Sequence, residues 1–210
     1  MIQLHYWPTA KCLKIGILLE ELKLEYELLP VNIRRAEHKT DDFLKVGAGG
    51  RIPVMVDTGG NLSLFESGAI LNYLGTAFVP EANSPAYHKV QQWLFWQVGH
   101  ISPCLGQLQF LREKAPAANL FVQDLFQTEA FRLYEVLERA LLHHEYVAET
   151  YSIADMAIFP WIQPTRQGID LADFPAIEAW RNRIKARPAV QEAYKRGRSI
   201  AAEEKSLVVE

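Results

Sequence analysis

Two short stretches of this chain carry residues suited to holding a peptide-like anion. Gly50-Arg51-Ile52-Pro53-Val54-Met55-Val56-Asp57 runs from a glycine-rich approach through one proline into an apolar strand. Pro53 stands at the strand mouth, where a missing N–H is tolerated best. An X–Pro bond has little trans preference, so Ile52-Pro53 is also a candidate cis peptide. In that form the backbone beside it would face a ligand rather than a ladder. Phe65-Glu66-Ser67-Gly68-Ala69 reads as a loop entering a helix, with Ser67 at the opening. A helix start offers free N–H groups and a positive dipole end, which suit a carboxylate. Singly, these features are an edge-strand proline and an N-cap. Together they form two walls for an extended peptide that ends in a carboxylate.

The bulk properties narrow the field. At 210 residues and 49% hydrophobic content, the chain can bury one large core or two small ones. A net charge of -3 argues against a nucleic-acid partner, which asks for a basic face. No apolar stretch approaches the ~18 residues of a membrane span. The first residues show no secretory pattern, so a cytoplasmic protein is expected. Cys12 and Cys104 are far apart and form no CxxC pair, which fits two free thiols in a reducing compartment. No Cys/His cluster has ligand spacing, and no metal is expected.

The elements that must position these stretches follow from periodicity. Ile2-Gln3-Leu4-His5-Tyr6-Trp7 reads as a strand ending at Pro8, with Thr9 as a helix cap. Ile15, Leu18, Leu19 and Leu22 recur at helical spacing, and 26–31 reads as a second strand. A strand, a helix and a strand in about thirty residues is the size of a parallel βαβ unit. Residues 32–40 read as a loop, and 41–46 as a short helix ending at Gly47. A hairpin turning at Gly59-Gly60 and a helix over 67–77 follow. The expected first domain, 1–79, is thus a four-stranded mixed sheet with three helices. Pro80, Asn83, Ser84 and Pro85 mark a linker over 80–86. Beyond it, 87–210 reads as all-helical: 87–113 with a bend at Pro103, 119–144, a start at Ser152 with Asp155 as its capping-box acid, and helices opening at Pro175 and Pro188. The closing segment 199–210 carries no motif with a readable role.

An α/β module with Arg51-Ile52-Pro53 before its third strand and Leu64-Phe65-Glu66-Ser67-Gly68-Ala69-Ile70 at its last helix, followed by a helical half carrying Tyr151-Ser152-Ile153-Ala154-Asp155, resembles the glutathione S-transferase family. The similarity covers nearly the whole chain. Gln92-Trp93-Leu94-Phe95-Trp96-Gln97-Val98-Gly99 looks like the bacterial Nu-class members, which are associated with glutathione-dependent disulfide reduction. The resemblance implies a thioredoxin-like N-terminal domain, a cis Ile52-Pro53 bond and a homodimer. It implies glutathione as cosubstrate, a disulfide or small electrophile as second substrate, and a detoxification-type activity. Carried over by residue, Arg51, Ile52 and Pro53 border the cysteinyl part of glutathione. Glu66 and Ser67 hold its γ-glutamyl amine and carboxylate, and Arg132 reaches toward it from the helical domain. The same resemblance leaves room for a non-catalytic binding or dimerisation module, since fold does not dictate function.

A glutathione thiol, like free cysteine, has a pKa of about 8.5, so lowering it by two units takes about 2.7 kcal/mol of thiolate stabilisation. Three residues near the first turn are candidates. Thr9 follows Pro8 and matches the Nu-class position. Tyr6 stands in the register of the tyrosine-type transferases. Cys12 would suit the cysteine-type classes, but stands one residue further from Pro8 than that pattern requires. The Nu pattern reads Thr-Pro-Asn where this chain has Thr9-Ala10-Lys11, so an ammonium replaces an amide. Gly49-Gly50 likewise replaces asparagines.

Overall fold

The structure, a computed structural model, describes residues 1–115, 117 and 119–206. The first elements are β1 (Ile2–Tyr6), α1 (Ala10–Glu21), β2 (Tyr26–Pro30), α2 (Asp41–Val46), β3 (Val54–Asp57), β4 (Leu62–Phe65) and α3 (Ser67–Leu74). The strands form one sheet in the order β2-β1-β3-β4. β1 runs parallel to β2 and antiparallel to β3, and β3 and β4 form the hairpin. Leu4 and Tyr6 of the central strand are buried, with His5 between them half-exposed. This is the expected thioredoxin-like mixed sheet with three helices.

Asp57 closes the hairpin. Its Oδ1 accepts from the Gly59 and Gly60 amides at 3.0 and 3.1 Å, and its Oδ2 accepts from the Tyr73 hydroxyl at 2.9 Å. Two glycines are required near the site. Gly50 has φ +57°, and a Cβ on Gly47 would collide with Val54. The segment 32–40, expected as plain loop, winds into two single 3-10 turns, Ile33–Arg35 and Glu37–Lys39. α3 stops at Leu74 rather than near 77, because Gly75 caps it and the chain tightens into a 3-10 turn.

The remaining helices are α4 (Pro85–Trp96), α5 (Ser102–Glu113), α6 (Leu120–Leu141), α7 (Ile153–Ile158), α8 (Pro164–Gln167), α9 (Pro175–Lys185) and α10 (Pro188–Ser206). Residues 207–210 of the closing segment lie outside the described residues. α4 begins inside the segment read as linker, with Ser84 Oγ accepting from the Tyr87 amide at 3.1 Å. The expected bend at Pro103 takes the form of a π-helical turn, Gln97–Ile101, joining α4 to α5. Pro103 has no N–H to give and its ring crowds the carbonyl four residues back, so the helix widens just before it.

By contact the chain forms two compact units, Met1–Ala77 with the segment from Ala186 on, and Phe78–Lys185. The last helix therefore groups with the sheet and not with the other helices that precede it. The reason lies in α1, where every residue from 12 to 19 is buried. A helix apolar on all sides must be covered on all sides, and both α3 and α10 pack on it. Glu21 holds Arg187 through two bonds of 2.6 and 3.0 Å, and Glu20 holds Arg196 at 3.0 Å. The Arg196 guanidinium also lies over the Tyr26 ring, 4.0 Å from its centre.

In the second unit the capping box at Ser152 is extended. The buried Asp155 carboxylate accepts from the Ser152 amide and hydroxyl, from the Val147 amide at 3.1 Å and from the Trp180 indole at 2.9 Å. One side chain thus ties the start of α7 to α9 and to the approach loop. A second buried network joins Tyr134, Gln167 and the Trp161 carbonyl. Replacing Asp155 with Ala leaves several buried donors without an acceptor. The expected loss is about 3 kcal/mol or more, read as a lower urea midpoint at unchanged slope.

Candidate active site

The sheet register brings the segments that carry Thr9, Ile52-Pro53 and Glu66 to one end of the sheet. His5, Val54 and Phe65 pair in one row across β1, β3 and β4. The chain leaves β1 beyond that row into the turn at Thr9, enters β3 through Ile52-Pro53, and leaves β4 into Glu66. Three separate segments therefore meet at one edge of the sheet.

Thr9 caps α1. Its backbone is extended, at φ -105° and ψ 159°, and its Oγ1 accepts from the Cys12 amide at 3.4 Å. Capping uses an oxygen lone pair, so the hydroxyl proton remains able to donate. The Thr9 amide turns back to the Trp7 carbonyl at 2.6 Å. Lys11 follows in the first turn of α1 and is half-exposed.

Ile52 and Pro53 are buried and joined by a cis bond. The paired residues of β3 begin at Val54, so the Ile52 backbone lies outside the ladder. Arg51 beside it is exposed. At α3 the residue in the cap position is Glu66, not Ser67. Glu66 has φ 68° and ψ 108°, and its side chain makes no capping bond. Ser67 is already the first helical residue and is buried. A non-glycine residue held at positive φ is uncommon and tends to mark function. Here it turns the exposed Glu66 carboxylate off the helix and leaves the first N–H groups of α3 without a side-chain cap.

Tyr6 and Cys12 are not part of this edge. Tyr6 is 1% exposed, and burial pushes its hydroxyl well above the ordinary phenol range. A Cβ at Gly197 in α10 would sit 2.6 Å from that hydroxyl. The tyrosine thus points into the packing of α10, where its oxygen has no hydrogen-bond partner among the described residues. Cys12 is wholly buried, and burial pushes its thiol up to about 11 against smaller opposing effects from the Trp7 backbone and the Thr9 side chain. Neither group is presented as an acid, base or nucleophile. Arg132 lies on α6 in the other unit, half-exposed, and its guanidinium grips Glu129 through bonds of 2.7 and 2.6 Å.

Sequence reasoning missed two residues. Glu129 is the acid that engages Arg132. Lys14 is 1% exposed, and burial first, then Lys11, pulls its ammonium down to about 7, while Glu66 and Cys12 act in the other direction. The signal for Lys14 was present: it is a lone cation within Cys12-Leu13-Lys14-Ile15-Gly16-Ile17-Leu18-Leu19. Among the described residues no group of three or more His, Cys, Asp or Glu side chains is placed to hold a metal ion. No described helix is long and apolar enough to cross a membrane.

A thioredoxin-like sheet with an uncapped helix start beside a cis proline, in a chain that also carries a helical unit, agrees with comparison to known proteins. Residues 1–76 match the N-terminal domain of glutathione S-transferases, and residues 107–188 match their C-terminal domain. The chain belongs to the glutathione S-transferase family. It is 41% identical over 202 residues to the disulfide-bond oxidoreductase YfcG of Escherichia coli (strain K12), spanning 92% of this chain and 94% of YfcG. It superposes with a TM-score of 0.87 and 34% identity on a glutathione transferase from Pseudomonas putida that has one glutathione disulfide bound per subunit, over 92% of this chain and 90% of that one. It is also 26% identical over 224 residues to the transcriptional regulator URE2 of Saccharomyces cerevisiae, covering 86% of this chain and 63% of URE2.

The burial of both cysteines has a direct readout. Cys104 is also buried, and its thiol is likewise raised to about 11. At pH 8 only about one such thiol in a thousand is ionised. An aromatic disulfide reagent should therefore titrate neither cysteine rapidly in the folded protein and both in denaturant. Rapid reaction of Cys12 in the folded state would return it to the list of nucleophiles.

Proposed function

We propose that this chain is a glutathione-dependent enzyme that holds glutathione along the Thr9–Ile52–Glu66 edge and uses its thiolate to reduce disulfides. The observation that carries this reading is the single row of paired residues that brings a hydroxyl, a free stretch of backbone and an uncapped helix start together. Ile52 offers its backbone to the cysteinyl unit, with Pro53 and Arg51 beside it. Glu66 accepts from the γ-glutamyl ammonium, a charge-assisted bond. The N–H groups opening α3 at Ser67 take the adjacent carboxylate. The Thr9 hydroxyl donates to the sulfur, and Lys11 adds positive charge through space. Arg132 contributes from the helical domain with Glu129 as its counter-ion.

In the reaction the glutathione thiolate attacks one sulfur of a disulfide and expels the other as a thiolate, which takes a proton. A second glutathione thiolate then resolves the mixed disulfide, giving glutathione disulfide and the second reduced thiol. Similarity to YfcG and to a transferase that holds glutathione disulfide favours this substrate class over a small electrophile. In this reading the glutathione-binding domain is 1–79, the linker 80–86 and the helical domain 87–210, and the enzyme works as a cytoplasmic homodimer. Similarity to the regulator URE2 favours a second reading, a binding or dimerisation module without turnover.

Turnover of 2-hydroxyethyl disulfide with glutathione, coupled to glutathione reductase, tests the reductase reading. No activity there, alongside good activity on a chloronitrobenzene, makes it a conjugating transferase instead. Calorimetric binding of glutathione without any turnover supports the module. Thr9→Ala should lower kcat/KM by about a hundredfold, as loss of one donor to a developing anion does. It should also shift the pH–rate profile toward higher pH, whereas Tyr6→Phe should do neither.

A further inference from the structure

Gly197 stands in the middle of α10, a helix of 19 residues. Glycine is among the poorest residues for a helix interior, so its presence there calls for a packing reason. The reason is a close approach to the end of β1, within the first unit. A Cβ at Gly197 would sit 2.6 Å from the Tyr6 hydroxyl and 3.5 Å from the Pro8 Cβ. One turn earlier on α10, Ala193 meets α1 at Gly16, where an added Cβ would lie 3.7 Å from the alanine methyl. The Tyr6 hydroxyl that Gly197 admits is buried and has no hydrogen-bond partner among the described residues. Leaving such a group unpaired is costly. A helix-interior glycine and an unpaired buried hydroxyl thus fall at one contact. Two local rules broken at the same place mark packing that serves function.

The contact reaches the candidate site through the four residues from Tyr6 to Thr9. The Tyr6 carbonyl accepts from the Val31 amide at 2.9 Å, and the Thr9 amide donates to the Trp7 carbonyl at 2.6 Å. The Thr9 carbonyl accepts from the Leu13 amide at 2.9 Å. The segment is therefore held at both ends, and Gly197 lies against two of its side chains. Beside the contact α10 is fixed in place, because Arg196 bonds Glu20 at 3.0 Å and covers the Tyr26 ring. We propose that Gly197 is a positioning residue: its missing side chain lets α10 seat on Tyr6 and Pro8, and that seating sets where the Thr9 hydroxyl points. The proposal rests on the glutathione reading above, in which that hydroxyl donates to the sulfur. A methyl group at position 197 forces α10 away or displaces Tyr6, and β1 is paired on both sides. The strain then passes along the short turn to Thr9.

The test is a double-mutant cycle read by the pH dependence of kcat/KM, with glutathione and 2-hydroxyethyl disulfide, well below the Tm of each variant. Gly197→Ala should lower kcat/KM about tenfold and move the profile toward higher pH, because a misplaced donor stabilises the thiolate less. Tyr6→Phe removes the oxygen in the way of the new methyl. The next atom, the Tyr6 Cζ, lies 3.6 Å from it, an ordinary contact. The double variant should therefore return to within about twofold of Tyr6→Phe alone. A Gly197→Ala protein with a lower Tm but the wild-type profile would overturn the proposal, as would a double variant no better than Gly197→Ala. Should Gly197→Ala not fold, Arg196→Ala takes its place, since it frees α10 from Glu20 and Tyr26 next to the contact. Its profile should shift the same way, and an unshifted profile would then overturn the proposal. Wild-type protein that neither binds nor turns over glutathione at millimolar concentration would overturn the glutathione reading, and the proposal with it.

Discussion

Everything in the first unit depends on covering one helix. Residues 12–19 of α1 are all buried, so the helix has no face to give to solvent. Both α3 and α10 pack on it. The apolar side chains drive this burial, at roughly 25 cal/mol for each Å² removed from water. The ion pairs of Glu20 and Glu21 with α10 add orientation more than energy, because their arginines remain about one-third exposed. With α1 fixed along its length, its N-terminal turn is fixed too.

That turn opens onto the candidate site. A helix start, a strand entry and a second helix start converge at the row of His5, Val54 and Phe65. Of the two helix starts, one alone carries a side-chain cap. Thr9 caps α1 with its oxygen and keeps its proton, and α3 begins without any side-chain acceptor. The edge is therefore rich in donors, and the half-exposed Lys11 follows Thr9 in the first turn of α1. Glu66 is an acid set against that pattern, on a backbone held at positive φ. Such an edge suits a ligand that is anionic over most of its length and cationic at one amino group.

Local sequence signals were sufficient for the elements and for most of this edge. β1, the hairpin, Pro53 and the capping box at Ser152 and Asp155 all carry short-range signatures, namely alternation, glycine turns and cap chemistry. Misplacements came from side chains whose neighbours are distant in sequence. Tyr6 stands in the register of the tyrosine-type transferases, yet a Cβ at Gly197 would meet its hydroxyl, which no pattern near residue 6 reveals. Ser67 looks like the cap because serine is a preferred cap. The unusual φ of Glu66 decides otherwise. α10 reads as one more amphipathic helix of the helical half, and only the all-round burial of α1 shows where it must go. Pro103 announces a disturbance without specifying that it takes the form of a π-helical turn.

The pairing of Glu21 with Arg187 and of Glu20 with Arg196 spans 166 and 176 residues. During translation the sheet, α1 and α3 emerge first, yet the surface that α10 covers stays open until nearly the whole chain has left the ribosome. Domains of a growing chain generally fold in order from the N-terminus. In this chain the first unit to be made is the last to be completed, and the helical unit is finished in between.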